Sequence, residues 1–165
     1  MESFRSRNKY KNRAKFNEHY CPKQNLSLDE GMIPTNNSLS IRQYIKDQPT
    51  KWDIKTFWVC DSDNGFICNK EVYTGARKDN SEIPQLGVTG NLVARLSKSF
   101  SAQKYRVFCD RYYSGIDIVE FLKSTYNIEF IGNIQQNRVG FPRCLVSKKN
   151  SLQGGKSVKL NNVNV

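Results

Sequence analysis

Residues 105–119 read Tyr-Arg-Val-Phe-Cys-Asp-Arg-Tyr-Tyr-Ser-Gly-Ile-Asp-Ile-Val. Tyr105–Cys109 is a short apolar run rich in β-formers, and it stops at Asp110, so it predicts a strand closed by a carboxylate. Ser114-Gly115-Ile116-Asp117 has the spacing of a capping box and predicts a helix running to about Tyr126, with Ile116, Val119, Phe121 and Leu122 apolar. Ile128–Ile134 predicts the strand that follows. Asp110 is the first candidate for chemistry, because a carboxylate at the end of a central strand loses hydration unless a cation or donor meets it.

Upstream, Thr89 predicts the cap of a helix whose Leu92, Val93, Leu96 and Phe100 share a face. Trp52–Cys60 and Phe66–Tyr73 predict a hairpin closed by Asp61-Ser62-Asp63-Asn64-Gly65. That turn echoes a calcium loop, but the loop's Gly and Glu positions are wrong, so it reads as a turn alone. Residues 31–51 read as connecting chain, with Pro34, Asn36-Asn37 and Pro49 as breakers. Leu26-Ser27-Leu28-Asp29 predicts a short first strand that ends in Asp29 and Glu30. The order β-β-β-α-β-α-β defines an α/β class and resembles a ribonuclease-H-like mixed sheet, incomplete at its C-terminal end. In that layout Asp29 and Asp110 are expected at the ends of neighbouring strands. Two carboxylates brought together repel, and a divalent cation turns that repulsion into binding.

Charge divides the 165 residues. Residues 1–25 hold seven Lys/Arg against two Asp/Glu, residues 138–165 hold six against none, and residues 26–137 hold thirteen of each. The net charge of +11 therefore sits in two arms around a neutral core. We read three parts: a basic arm over 1–25, a core over 26–137 and a basic tail over 138–165. In the first arm Arg5, Arg7, Lys9, Lys11, Arg13 and Lys15 fall at every second position, which suits an extended strand tracking phosphates. Arg42, Lys51 and Lys55 are the core cations expected near a nucleic-acid backbone. No apolar run approaches the roughly 18 residues of a membrane span, and neither a membrane nor a small-molecule substrate is expected. Five cysteines, an odd number with no C-x-x-C, predict reduced thiols, and His19-x-Cys21 alone makes no zinc site.

A family resemblance covers roughly residues 15–145 in colinear order. Leu26-Ser27-Leu28-Asp29-Glu30-Gly31-Met32-Ile33-Pro34 is similar to the first catalytic block of piggyBac-type transposases. The likeness continues through Ile41-Arg42-Gln43-Tyr44, Gln48–Lys55, Val59–Ser62 and Tyr73-Thr74-Gly75. Val107–Ser114 resembles the block carrying the second catalytic aspartate, and Ile131–Arg138 the strand after it. The resemblance implies a DDE transposase with a ribonuclease-H-like core, bound Mg2+ or Mn2+, cut-and-paste transfer at TTAA sites, DNA and other transposase chains as partners, and a nuclear location. By position Asp29 and Asp110 correspond to its first two catalytic, metal-binding aspartates. The third is expected beyond residue 165. Thr35-Asn36-Asn37-Ser38 replaces a basic stretch, and Arg111 replaces an Asn and is expected to compete with metal for Asp110. The expectation is a truncated or degenerate transposase core, inactive alone. The alternative is a non-catalytic nucleic-acid-binding module that uses its arms.

Overall fold

The computed structural model describes residues 19–44, 52–75, 83–101 and 103–141. The cations Arg5, Arg7, Lys9, Lys11, Arg13, Lys15 and Lys51 lie outside the described residues. Six strands form one mixed sheet: β1 (Asn25–Ile33), β2 (Gln43–Tyr44), β3 (Trp52–Asp61), β4 (Ile67–Val72), β5 (Arg106–Cys109) and β6 (Glu129–Gly132). Two helices, α1 (Gly87–Ser97) and α2 (Ile116–Tyr126), separate the later strands. The sheet runs β2-β3-β1-β5-β6, with β4 also on β3. β1, β3 and β4 are antiparallel, whereas β1, β5 and β6 are parallel.

The hairpin forms where its turn residues place it. Asp61 and Gly65 close the turn backbone, and Gly65 takes the positive φ of 74° that a side chain would resist. A bulge between Val59 and Cys60 shifts the ladder to β4. Burial alternates along β1: Leu26 and Leu28 are buried, while Ser27 is half-buried and Asp29 exposed. The buried side packs with Phe57, Val59 and Val107 against Leu92, Val93 and Leu96 of α1 and Ile118 and Leu122 of α2. On the other side, Phe108, Ile131 and Ile33 remain exposed.

Several expectations need correction. β1 does not end at Asp29 but continues to Ile33, because Glu30–Ile33 stay paired with Ile54–Phe57. β2 lies in the stretch read as connecting chain, so the strand order gains one short member. Thr89 does not cap α1, which begins at Gly87 after a 3-10 turn over Pro84–Leu86. Instead, the buried Asn91 side chain ties the preceding segment down by accepting from the Ile83 N–H and donating to the Ile83 and Gly87 carbonyls. No side-chain cap opens α2 either, because the Ser114 hydroxyl donates to the Asp110 carbonyl, 2.8 Å away. Cys21, Cys60, Cys68 and Cys109 are free thiols. No helix among the described residues is long and apolar enough to cross a membrane.

Candidate metal centre and nucleic-acid surface

The parallel pairing of β1 with β5 matches Leu26 to Val107 and Leu28 to Cys109. Asp29 and Asp110 are the next residue on each strand, at the point where the ladder ends. From there the two chains part: β1 runs on beside β3, and the chain after Cys109 turns off the sheet. That turn is fixed by hydrogen bonds on Asp110, whose carbonyl accepts from Tyr113 N–H and the Ser114 hydroxyl. Asp110 Oδ1 accepts the Tyr112 N–H at 2.8 Å, and Asp29 Oδ1 accepts the Glu30 N–H at 2.8 Å. Arg111 forms no ion pair with Asp110 among the described contacts, so the expected competition is not built into the structure.

Neighbouring groups report the joint field of the two aspartates. Burial pushes the Cys109 thiol up to about 12, and the charges of Asp110 and Asp29 push in the same direction. Burial also raises the Tyr113 hydroxyl far above its ordinary value, helped by its hydrogen bond to Glu30 and by the charges of Glu30, Asp29 and Asp110.

Glu30 belongs to the other side of the sheet. Strand alternation turns it away from Asp29, and its Oε2 accepts the Tyr113 hydroxyl at 2.5 Å while Lys55 stands 3.9 Å from Oε1. Tyr113 is 1% exposed, edge-on to Tyr112 and Phe57. Tyr113→Phe is expected to cost about 1.5 kcal/mol, the low end for a hydrogen bond to a charged acceptor because Glu30 is partly exposed. Urea denaturation checks this, and in Glu30→Gln the same change should cost less than half as much.

Two exposed carboxylates, each with one oxygen bound to a backbone N–H and one without a partner among the described residues, suit a hard cation with oxygen preference such as Mg2+ or Mn2+. Among the described residues no group of three or more His, Cys, Asp or Glu gathers around one point. The donor set fits a cation held by two protein ligands and completed by water or substrate oxygens.

Of the core cations, Lys55 pairs with Met32 and so faces away from Asp29. Arg42 is tied to the Trp52 carbonyl at 3.0 Å and the Asn37 carbonyl at 3.4 Å, with its guanidinium 5.9 Å from the Trp52 ring centre. Lys55 is one quarter exposed and faces the Phe57 ring and Glu30. Tyr113, Glu30 and the pocket around Lys55 carry no signal in the sequence, since nothing in the spacing of positions 30 and 113 announces a contact.

Residues 11–165 match the family described as transposase IS4. The chain belongs to the transposase IS4 family. Its fold is similar to that of the piggyBac transposase in a cryo-EM structure of the synaptic complex with hairpin DNA, with a TM-score of 0.73 and 23% identity over 85% of this chain. The transposase IS4 domain described here spans 29% of the length of that protein.

Proposed function

We propose that this transposase IS4 domain is the part of a DDE core that seats a divalent cation, Mg2+ or Mn2+, between Asp29 and Asp110. The observation that supports the reading is the β1–β5 register, with Leu28 opposite Cys109, the residues immediately before Asp29 and Asp110. Three antiparallel strands continued by two parallel ones, with one helix before each of the latter, support a ribonuclease-H-like arrangement in which such carboxylates stand on central strands. When bound, the cation supplies Lewis acidity toward a phosphodiester. The chain's own part is positional: the Tyr112 and Glu30 N–H groups orient the carboxylates, and the turn after Cys109 presents Asp110 at the sheet's end. The partner is DNA in the nucleus, held largely by the arms over 1–25 and 138–165 through their excess of Lys/Arg. With two carboxylates in place, the chain alone is expected to neither nick nor join DNA.

Manganese titration followed by electron paramagnetic resonance tests the reading. Asp29→Asn and Asp110→Asn should each weaken Mn2+ binding at least tenfold, and unchanged binding in both would remove the metal site. The second reading, a non-catalytic nucleic-acid-binding module, draws on the concentration of positive charge outside the neutral core. It expects duplex affinity that falls steeply with salt and ignores magnesium.

A further inference from the structure

β5 and β6 run parallel from Arg106 opposite Glu129 to Cys109 opposite Gly132, and this last pair presses on the turn that follows β5. A Cβ placed on Gly132 would stand 2.6 Å from the Cys109 carbonyl oxygen, 2.7 Å from Ser114 Oγ and 3.0 Å from Phe130 Cε1. Unbonded carbon atoms pack best at roughly 3.5–4.0 Å, so a side chain here would have to push its neighbours away. Gly132 does not adopt a positive φ. Its backbone conformation therefore does not call for glycine, whereas the close approach does.

The two nearest atoms both belong to the structure that holds Asp110. The Cys109 carbonyl is part of the peptide that joins Cys109 to Asp110. Ser114 is buried, and its hydroxyl donates to the Asp110 carbonyl at 2.8 Å, beside the Tyr113 N–H at 3.3 Å. The peptide cannot step aside without carrying the Asp110 Cα with it. The hydroxyl cannot swing away without releasing the Asp110 carbonyl. Of the three crowded neighbours, only the Phe130 ring can yield without disturbing that aspartate.

We infer that Gly132 is the positioning residue for Asp110: having no side chain, it lets the end of β6 close on the Cys109–Asp110 peptide and the Ser114 hydroxyl, and so fixes where the Asp110 carboxylate stands. The inference rests on the metal reading above. It makes β6 part of the site without giving it a ligand. A ligating carboxylate needs such outer support, because the groups bound behind it set its orientation. Asp29 lies outside this device, since β5 separates β1 from β6. Filling the space at Gly132 therefore acts on one aspartate and spares the other.

The test uses the 165-residue chain, Mn2+ titration and amide NMR shifts, with Gly132→Ala set against Gly115→Ala. A Cβ at Gly115 meets nothing closer than 3.9 Å, so that variant adds the same methyl to the same turn where there is room. Gly132→Ala is expected to weaken Mn2+ binding at least tenfold and to displace the Tyr112 amide, which donates to Asp110. The Glu30 amide, which donates to Asp29, should keep its shift. Gly115→Ala should match wild type in Mn2+ affinity. Unchanged affinity and an unmoved Tyr112 amide in Gly132→Ala overturn the inference. Equal displacement of the Tyr112 and Glu30 amides overturns it too, as the mark of a general loosening. Should Gly132→Ala not fold, Ser114→Ala decides. Loss of the hydroxyl between Gly132 and the Asp110 carbonyl should weaken Mn2+ binding at least threefold, and unchanged binding overturns the inference. A wild type that takes up no Mn2+ removes the metal reading, whereas displacement of the Tyr112 amide alone in Gly132→Ala still upholds Gly132 as the residue that positions Asp110.

Discussion

Asp61→Ala is expected to remove about 3–5 kcal/mol of folding stability, since it strips the acceptor from three hydrogen bonds to one carboxylate. Asp61 is fully buried at the end of β3. Its Oδ2 accepts the Tyr20 hydroxyl at 2.7 Å and the Lys23 N–H at 2.9 Å, and its Oδ1 accepts the Asp63 N–H at 3.0 Å. The side chain thus staples the segment before β1 to the hairpin turn, and Asn64 reinforces it by donating to the Tyr20 oxygen. Burial by itself pushes the Asp61 carboxyl up. The N–H groups of Lys23 and Asp63, the Tyr20 hydroxyl and the Lys23 ammonium outweigh it and hold the carboxyl below its usual range. A depressed folded-state value contributes stability that is complete above the unfolded carboxylate range and lost as pH falls through the folded value. Urea denaturation should therefore show wild type weakening on acidification from pH 6 toward pH 3, with a shallower slope in Asp61→Asn. Equal slopes would mean that Asp61 titrates alike in both states.

The second large effect is expected at Leu28→Ala, a loss of about 2–5 kcal/mol from a buried leucine whose cavity the sheet cannot close. Leu28 is 2% exposed, with Val59 beside it on β3 and Cys109 on β5. It immediately precedes Asp29, so its loss slackens the β1–β5 pairing that ends beside Asp29 and Asp110. Leu28→Met conserves volume and should cost less than about 1.5 kcal/mol. Chemical denaturation gives the stabilities, and manganese affinity measured on the folded fraction should drop in Leu28→Ala and hold in Leu28→Met. A loss below about 1 kcal/mol in Leu28→Ala would contradict tight packing at this position.

What the sequence made legible follows from how local each signal is. The Asn64-Gly65 turn and its flanking apolar runs announced the hairpin, and the spacing of Leu92, Val93 and Leu96 announced α1. Gly31 falls in the stretch over 31–51 that reads as connecting chain because of its Pro and Asn breakers. It stands inside β1 because the Trp58 ring lies over it, and a Cβ there would come within 2.7 Å of that ring. β2 spans two residues, too few to carry a period. The Ser114 cap fails because Ser114 spends its hydroxyl on Asp110, and Thr89 fails because α1 already begins at Gly87. Asp29 and Asp110 came forward as candidates through strand ends and family resemblance. Their pairing depends on a register between distant strands, which no local pattern encodes. Glu30 and Tyr113 were invisible for the same reason.

That register also bears on how the protein forms. Leu28 and Cys109 are 81 residues apart in sequence, whereas β3 and β4 meet across a five-residue turn. Closing the longer loop costs more chain entropy and yields no contact until β5 has found β1, so pairing of this kind comes slowly. The hairpin can assemble from its own neighbourhood, but the aspartates cannot. In a refolding experiment, hairpin protection from hydrogen exchange should precede protection of Val107 and Cys109, and capacity to capture manganese should rise only with the later phase. The proposed carboxylate site is then itself a reporter of completed folding, silent in every partly assembled chain.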